Sequence, residues 1–109
     1  MADWGREASW FAERSEHGPC RKSRYTRKLA HELGHYGVNV NAIAPSLTLT
    51  ERIRPRWEQR RAEEQAEEIA RTPLRRVAEA RDQARVICFL ASRDADFVTG
   101  VTIDVTGGI

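Results

Sequence analysis

Leu29-Ala30-His31-Glu32-Leu33-Gly34-His35-Tyr36-Gly37-Val38-Asn39-Val40-Asn41-Ala42-Ile43-Ala44-Pro45 holds a change of period that decides the fold. Upstream, Tyr25, Leu29 and Leu33 recur every four residues, the spacing of an apolar stripe on a helix. A helix is therefore predicted from about residue 21 to 36. Gly34 and Gly37 end it, since glycine accepts the left-handed backbone that closes many helices. The stretch 38–43 is a short apolar run rich in strand formers, which suits a buried strand. Ala44-Pro45-Ser46 should stop it, because proline has no N–H to continue a strand ladder.

Outward from this junction the pattern is coarser. Residues 47–56 read as a loop with a short helical turn. Residues 57–71 are rich in Glu, Arg, Gln and Ala, all strong helix formers. Trp57 and Ile69 are nearly their only large apolar groups, so this helix is mostly solvated, and Thr72-Pro73 ends it. A helix at about 80–91 should bury Ala84, Ile87, Cys88, Leu90 and Ala91. Residues 101–105 alternate with period two and read as a strand. Residues 1–24 have no helical or strand period and read as irregular or disordered. Two strands joined by helices imply an α/β fold with two parallel strands and a right-handed helical crossover. Such a pair belongs in a larger sheet or in an oligomer.

Composition narrows the function. The chain has 109 residues, 18 basic and 16 acidic, for a formal net charge of +2. So small a surplus argues against nucleic acid or an acidic membrane surface as partner. No apolar run approaches the roughly 18 residues of a membrane span, and the first 18 residues lack the apolar core of a signal peptide. The expectation is a cytoplasmic protein. Cys20 and Cys88 stand too far apart in the chain for a disulfide framework or a metal-type pair. Cys88 lies in an apolar run and is expected to be buried; Cys20 is expected to be an inert thiol. The run 52–71 mixes signs, as a solvated helix with i, i+4 pairs does.

Together these residues resemble the C-terminal part of the short-chain dehydrogenase/reductase family. Residues 29–45 match its pattern LAxELxxYGIxVNAIAPG. Thr72-Pro73-Leu74-Arg75-Arg76 matches its TPLxR loop. Phe89-Leu90-Ala91-Ser92, then Asp96-Phe97-Val98-Thr99-Gly100, match FLAS…xFVTG, and Ile103-Asp104-Val105-Thr106-Gly107-Gly108 resembles its IxVDGG ending. The order and spacing hold over about 80 residues. The resemblance implies a Rossmann-like doubly wound parallel sheet, residues 26–109 being the C-terminal part of an NAD(P)-binding domain and 1–25 an unpatterned segment. It also implies NAD(P)-dependent oxidoreduction of a small-molecule carbonyl or alcohol, and a homo-oligomer. Pro45, Ser46 and Thr50 fall on the family's PGxxxT loop, which holds the nicotinamide carboxamide; Thr48 is a further candidate. Ser46 replaces a glycine, which is unfavourable if that position needs a positive φ. Trp57 and the segment 48–62 fall on the family's substrate lid.

The family's Gly-rich phosphate loop and catalytic Tyr-x-x-x-Lys do not occur in these 109 residues. The Tyr would fall near Ser15 and the Lys near Pro19. Tyr25 with Lys28 has the wrong spacing, and Tyr25 is read as a packing residue. No catalytic residue is therefore assigned, and the chain alone is expected to bind no cofactor and to be inactive. Because the matching stops abruptly upstream of Thr26, residues 1–25 are expected to derive from a shifted reading frame or a misplaced start, the alternative being a short paralogue with a replaced N-terminus.

Two further functions are weighed. A non-catalytic oligomerisation or binding module is one: the strand 38–43 without a neighbour would be an open edge, and such edges invite pairing. The other is a zinc metallohydrolase through His31-Glu32-x-x-His35, a spacing that puts two imidazoles on one helix face beside a carboxylate. The zinc reading is the weaker, because Val38 and Asn41 stand where a longer zinc motif continues and the helix ends directly after His35. No metal ligand is assigned.

Overall fold

A computed structural model describes residues 8–12 and 20–109, with side chains from Ser23 onward. β1 spans Ala8–Ala12 and α1 spans Cys20–Leu33, continued by a 3₁₀ turn at Gly34–Tyr36. β2 spans Asn39–Pro45 and β3 Thr48–Leu49. α2 spans Arg54–Glu58 and α3 Ala62–Arg71. β4 spans Ala78–Glu79, α4 Ala80–Ala91 and β5 Thr102–Val105.

The main sheet has the order β1-β2-β5, and both pairings are parallel. The α/β class holds, but the strand count rises from two to three. The expectation that the N-terminal segment is irregular fails at 8–12, which pair with β2 from Ala8 opposite Asn39 to Ala12 opposite Ile43, while α1 begins at Cys20, close to the expected start at about 21. β2 is therefore the middle strand of the three and not an open edge. That position explains its composition, for residues 40–44 are all buried and a strand covered on both sides needs a continuous apolar run. The strand stops where expected: Pro45 is the last residue of β2, opposite Val105, where a missing N–H costs least.

α1 lies against β2 through small residues. Thr26 and Ala30 are buried, one turn apart, and Leu29 and Leu33 are half-buried. Tyr25 is 55% exposed, so the packing role expected of it is wrong by one residue around the helix. The close fit shows at Gly100, whose backbone has φ +75°. A Cβ there would stand 3.3 Å from that of Ala30.

On the other side Ile43, Leu90 and Ala95 form the core, packed by Val86, Ile87, Val98, Ile103 and Val105. α4 buries Gln83 and Leu90 and half-buries Val86 and Ile87, the i, i+3, i+4, i+7 set. Ala84, Cys88 and Ala91 are exposed, contrary to the sequence reading. The expected stripe was rotated by about one position, because Gln83 took no part in an apolar count.

Polar side chains sew β2 to the segment leading into β5. Asn41 is 2% exposed; its Nδ2 donates to the Val98 carbonyl (3.0 Å) and its Oδ1 accepts from the Val101 N–H (3.2 Å). Asn39 Nδ2 lies within 3.1–3.3 Å of the carbonyls of Ala95, Asp96 and Val98. Thr99 Oγ1 accepts from the Val40 N–H at 2.9 Å.

Candidate functional site

The loop leaving the carboxyl end of β2 is the place to look, since open parallel sheets bind ligands beyond the carboxyl ends of their strands. Pro45 and Ser46 are half-buried there. The next two residues form β3, which pairs in parallel with β4, Thr48 opposite Ala78 and Leu49 opposite Glu79. This small second sheet turns the loop away from β2 and hands it to α2. Thr50 starts that helix: its Oγ1 accepts from the Ile53 N–H (3.2 Å), and its carbonyl accepts from the N–H groups of Ile53 (3.1 Å) and Arg54 (2.8 Å).

The four expected residues thus lie on one continuous loop but differ in what they offer. Thr48 Oγ1 donates to the Ser46 carbonyl at 2.9 Å and accepts from Gln83 Nε2 at 3.3 Å, so its one proton is already engaged. The Thr50 hydroxyl oxygen accepts one bond and its proton is directed to no described acceptor; the residue is exposed. Ser46 carries no strain, because Arg75 (φ 58°) is the sole non-glycine residue with positive φ among the described residues. The anticipated backbone objection to serine at this position does not apply.

Gln83 was missed by the sequence reading. From α4 its Nε2 donates both to the Val105 carbonyl (3.0 Å) and to Thr48, joining the end of β5 to the loop. Its Oε1 is buried without a partner. The signal was present in the spacing, since Gln83 stands three, four and seven residues before Val86, Ile87 and Leu90.

The loop leads into α2 and α3. The single helix expected at 57–71 is two, broken at 59–61, and Gln65 fastens them, its Nε2 donating to the carbonyls of Trp57 (2.7 Å) and Arg60 (3.4 Å). Arg60 lies 5.7 Å from the Trp57 ring centroid. Arg54 pairs with Glu79 at 2.5 Å and ties α2 to the start of α4. There Glu79 and Asp82 form a reciprocal capping box. Asp82 also accepts two bonds from Arg76, at 2.7 and 2.9 Å. The Arg76 hydrogen bonds, then the Glu79 N–H, hold the Asp82 carboxyl well below the usual carboxylate range. Asp82 likewise raises the Arg76 pKa.

An open cleft of about 640 Å³ is lined by residues of β3, α2, α3 and α4. Leu49, Trp57, Ile69 and Val77 are its apolar lining, and Arg75, Arg76, Arg81 and Arg85, with Glu79 and Asp82, its charged lining. A smaller cleft of about 150 Å³ lies between Leu74, Arg76 and the 105–107 segment.

The zinc reading gains nothing from the geometry. α1 ends at Leu33, so His31 sits on the α-helix and His35 in the 3₁₀ turn, stacked on Tyr36 at 3.9 Å. Among the described residues no three His, Cys, Asp or Glu side chains gather into a metal-binding group. Ser15, His17 and Pro19 lie outside the described residues. No described helix is long and apolar enough to cross a membrane.

A family profile described as enoyl-(acyl carrier protein) reductase matches residues 23–109. The chain belongs to the short-chain dehydrogenase/reductase family. A 3-oxoacyl-[acyl-carrier-protein] reductase of Haemophilus influenzae is 35% identical over 85 residues, covering 78% of this chain and 34% of that protein. A short-chain type dehydrogenase/reductase from Mycobacterium ulcerans superposes with a TM-score of 0.81 at 29% identity, over 95% of this chain and 42% of that one. An NADPH-bound short-chain oxidoreductase of Pseudomonas aeruginosa with an atypical catalytic centre gives 0.78 at 29% identity, over 94% and 45%. The chain spans about a third of the length of the curated relatives it matches. The family's Rossmann-type doubly wound sheet accounts for the parallel order β1-β2-β5 with helices between the strands.

Proposed function

We propose that this chain carries the nicotinamide-facing loop and substrate lid of an NAD(P)-dependent oxidoreductase acting on a carbonyl or alcohol. The observation that supports it most is the loop 45–50 at the carboxyl end of β2, with an exposed Thr50 hydroxyl free to donate and a lid starting at Arg54. Residues 26–109 are, on this reading, the C-terminal part of the cofactor-binding domain. The loop backbone at Pro45 and Ser46 and the Thr50 hydroxyl would hold the carboxamide; Thr48, whose proton is engaged, would shape the loop without touching the ligand. When bound, the cofactor supplies the hydride. This chain's own residues orient the ring and cover it. The sequence has no Gly-rich turn to cradle the pyrophosphate and no Tyr-x-x-x-Lys to move the proton, so the 109 residues fit the nicotinamide end alone.

Titration with NADPH, followed by amide NMR, tests this. Shifts confined to 45–50 and the start of α2 at millimolar NADPH, with no oxidation of NADPH in the presence of aldehydes or ketones, are expected. Unmoved loop resonances would remove the cofactor contact. Turnover would show that residues other than the family's pair carry catalysis.

We also read the chain as cytoplasmic and self-associating. Tyr36, Leu74, Phe97 and Ile109 are large apolar side chains left exposed, which supports contact with a second copy.

A further inference from the structure

The lid cleft has an unbalanced charge. Of the charged groups lining it, Arg76 is matched by Asp82, Glu79 pairs with Arg54 outside the cleft, and Arg75 donates to the Ala70 carbonyl. Arg81 and Arg85 make no ion pair with any described residue, and both are exposed. They stand one turn apart on α4, so their like charges repel and weaken the helix unless an anion lies between them. The same cleft is lined by buried Leu49 and half-buried Trp57 and Ile69. The volume, about 640 Å³, falls within the roughly 300–1,000 Å³ of small-molecule sites. Leu49 lies between Thr48 and Thr50, so the apolar end adjoins the loop assigned to the cofactor.

We propose that this cleft takes an anionic amphiphile, a molecule with a carboxylate or phosphate on an apolar body. Arg81 and Arg85 hold the head, and Leu49, Trp57 and Ile69 line the body. The inference rests on the oxidoreductase reading of the same site and deepens it by naming the substrate class. Guanidinium groups suit both heads, because their planar donors match carboxylate and phosphate oxygens in pairs. An apolar wall alone would take a neutral alcohol as readily; the arginine pair is what gives preference for an anion.

Calorimetric titration of the full chain with decanoate, decyl phosphate and 1-decanol, each below its micelle concentration, tests the proposal without a cofactor. At least one anion is expected to bind tenfold or more tighter than decanol, and 0.5 M NaCl should remove most of the difference. The size of the two anion preferences tells a carboxylate ligand from a phosphate one. In the double variant Arg81→Gln/Arg85→Gln the preference should fall below threefold with decanol binding unchanged. In Trp57→Ala all ligands should weaken together. Circular dichroism checks that each variant keeps its helices. Equal binding of decanol and both anions, or a preference that survives the double variant, would overturn the proposal. NADPH-induced shifts at 45–50 are scored separately, so absence of any anion preference in the parent chain with those shifts intact defeats this inference and leaves the cofactor reading standing.

Discussion

Asn41 offers the sharpest test of what holds β2 in place. Its amide makes one bond in each direction, to the Val98 carbonyl and from the Val101 N–H, and it is 2% exposed. Asn41→Ala deletes both bonds and leaves two backbone groups in a dry setting. A buried group stripped of its partner costs about 1–3 kcal/mol, so a loss of roughly 2–4 kcal/mol is expected after partial relaxation. That is a large share of the about 5–15 kcal/mol that folded domains possess. Asn41→Asp separates hydrogen bonding from size. Its carboxylate still accepts from Val101 but faces the Val98 carbonyl, so the ionised form is disfavoured and its folded pKa rises. A group with a raised folded pKa contributes stability below its unfolded value, near 4, and loses it as the pH climbs through the folded value. The aspartate variant should therefore be more stable at pH 4 than at pH 7, relative to the parent at each pH. Urea melts followed by circular dichroism give both numbers. A loss under about 0.5 kcal/mol for the alanine variant would refute the reasoning, as would an aspartate variant whose deficit does not change with pH.

Further outcomes follow from the same geometry. Asp82→Asn should cost about 1–2 kcal/mol at pH 7, the sum of a weakened cap and a partly exposed ion pair. Because the Asp82 pKa is depressed, its contribution exists above about pH 4 and fades as the pH falls below that value; urea melts of parent and variant should converge there. Gly107→Ala should destabilise by about 2 kcal/mol, since φ is +69° and a Cβ would stand 2.7 Å from Thr72 Cγ2. A thermal melt measures it. Cys88 is exposed, so a thiol reagent should modify it in the folded chain without unfolding; protection until denaturation would contradict the orientation of α4.

The junction of α1 and β2 was legible because two periods meet there, and α4 and β5 were legible for the same reason. β1 was not. Ala8-Ser9-Trp10-Phe11-Ala12 has two large apolar residues side by side and no alternation, and its strand character comes from pairing with β2, a partner 31 residues away. β3 and β4 are two residues each, too short for any period, and exist only because they meet one another. Of the site, the loop residues were found by resemblance, while their individual hydrogen bonds were not. The Thr48 proton is taken by the Ser46 carbonyl two residues back, and its oxygen is met by Gln83, 35 residues downstream, neither of which a sequence pattern shows. The face that α4 buries was misjudged because a glutamine that donates two bonds inward behaves as a core residue, whereas hydropathy places it outside.

The central position of β2 has a consequence for the order in which the chain folds. Its neighbour on one side, β5, pairs Ile43 with Ile103, so the connection must close a loop of about 60 residues. The entropy of closing a flexible loop grows only with the logarithm of its length, about 0.6 kcal/mol per doubling. Forming α2, α3 and α4 first shortens the flexible part of that loop. The helices are therefore expected to organise early, with β5 docking as the slow step, and until it docks the Asn41 side chain has nothing to hold. Mutations that weaken α3 should then slow refolding with little change in the rate of unfolding, and those at Val98–Val101, whose contacts form at the docking step, should change both rates.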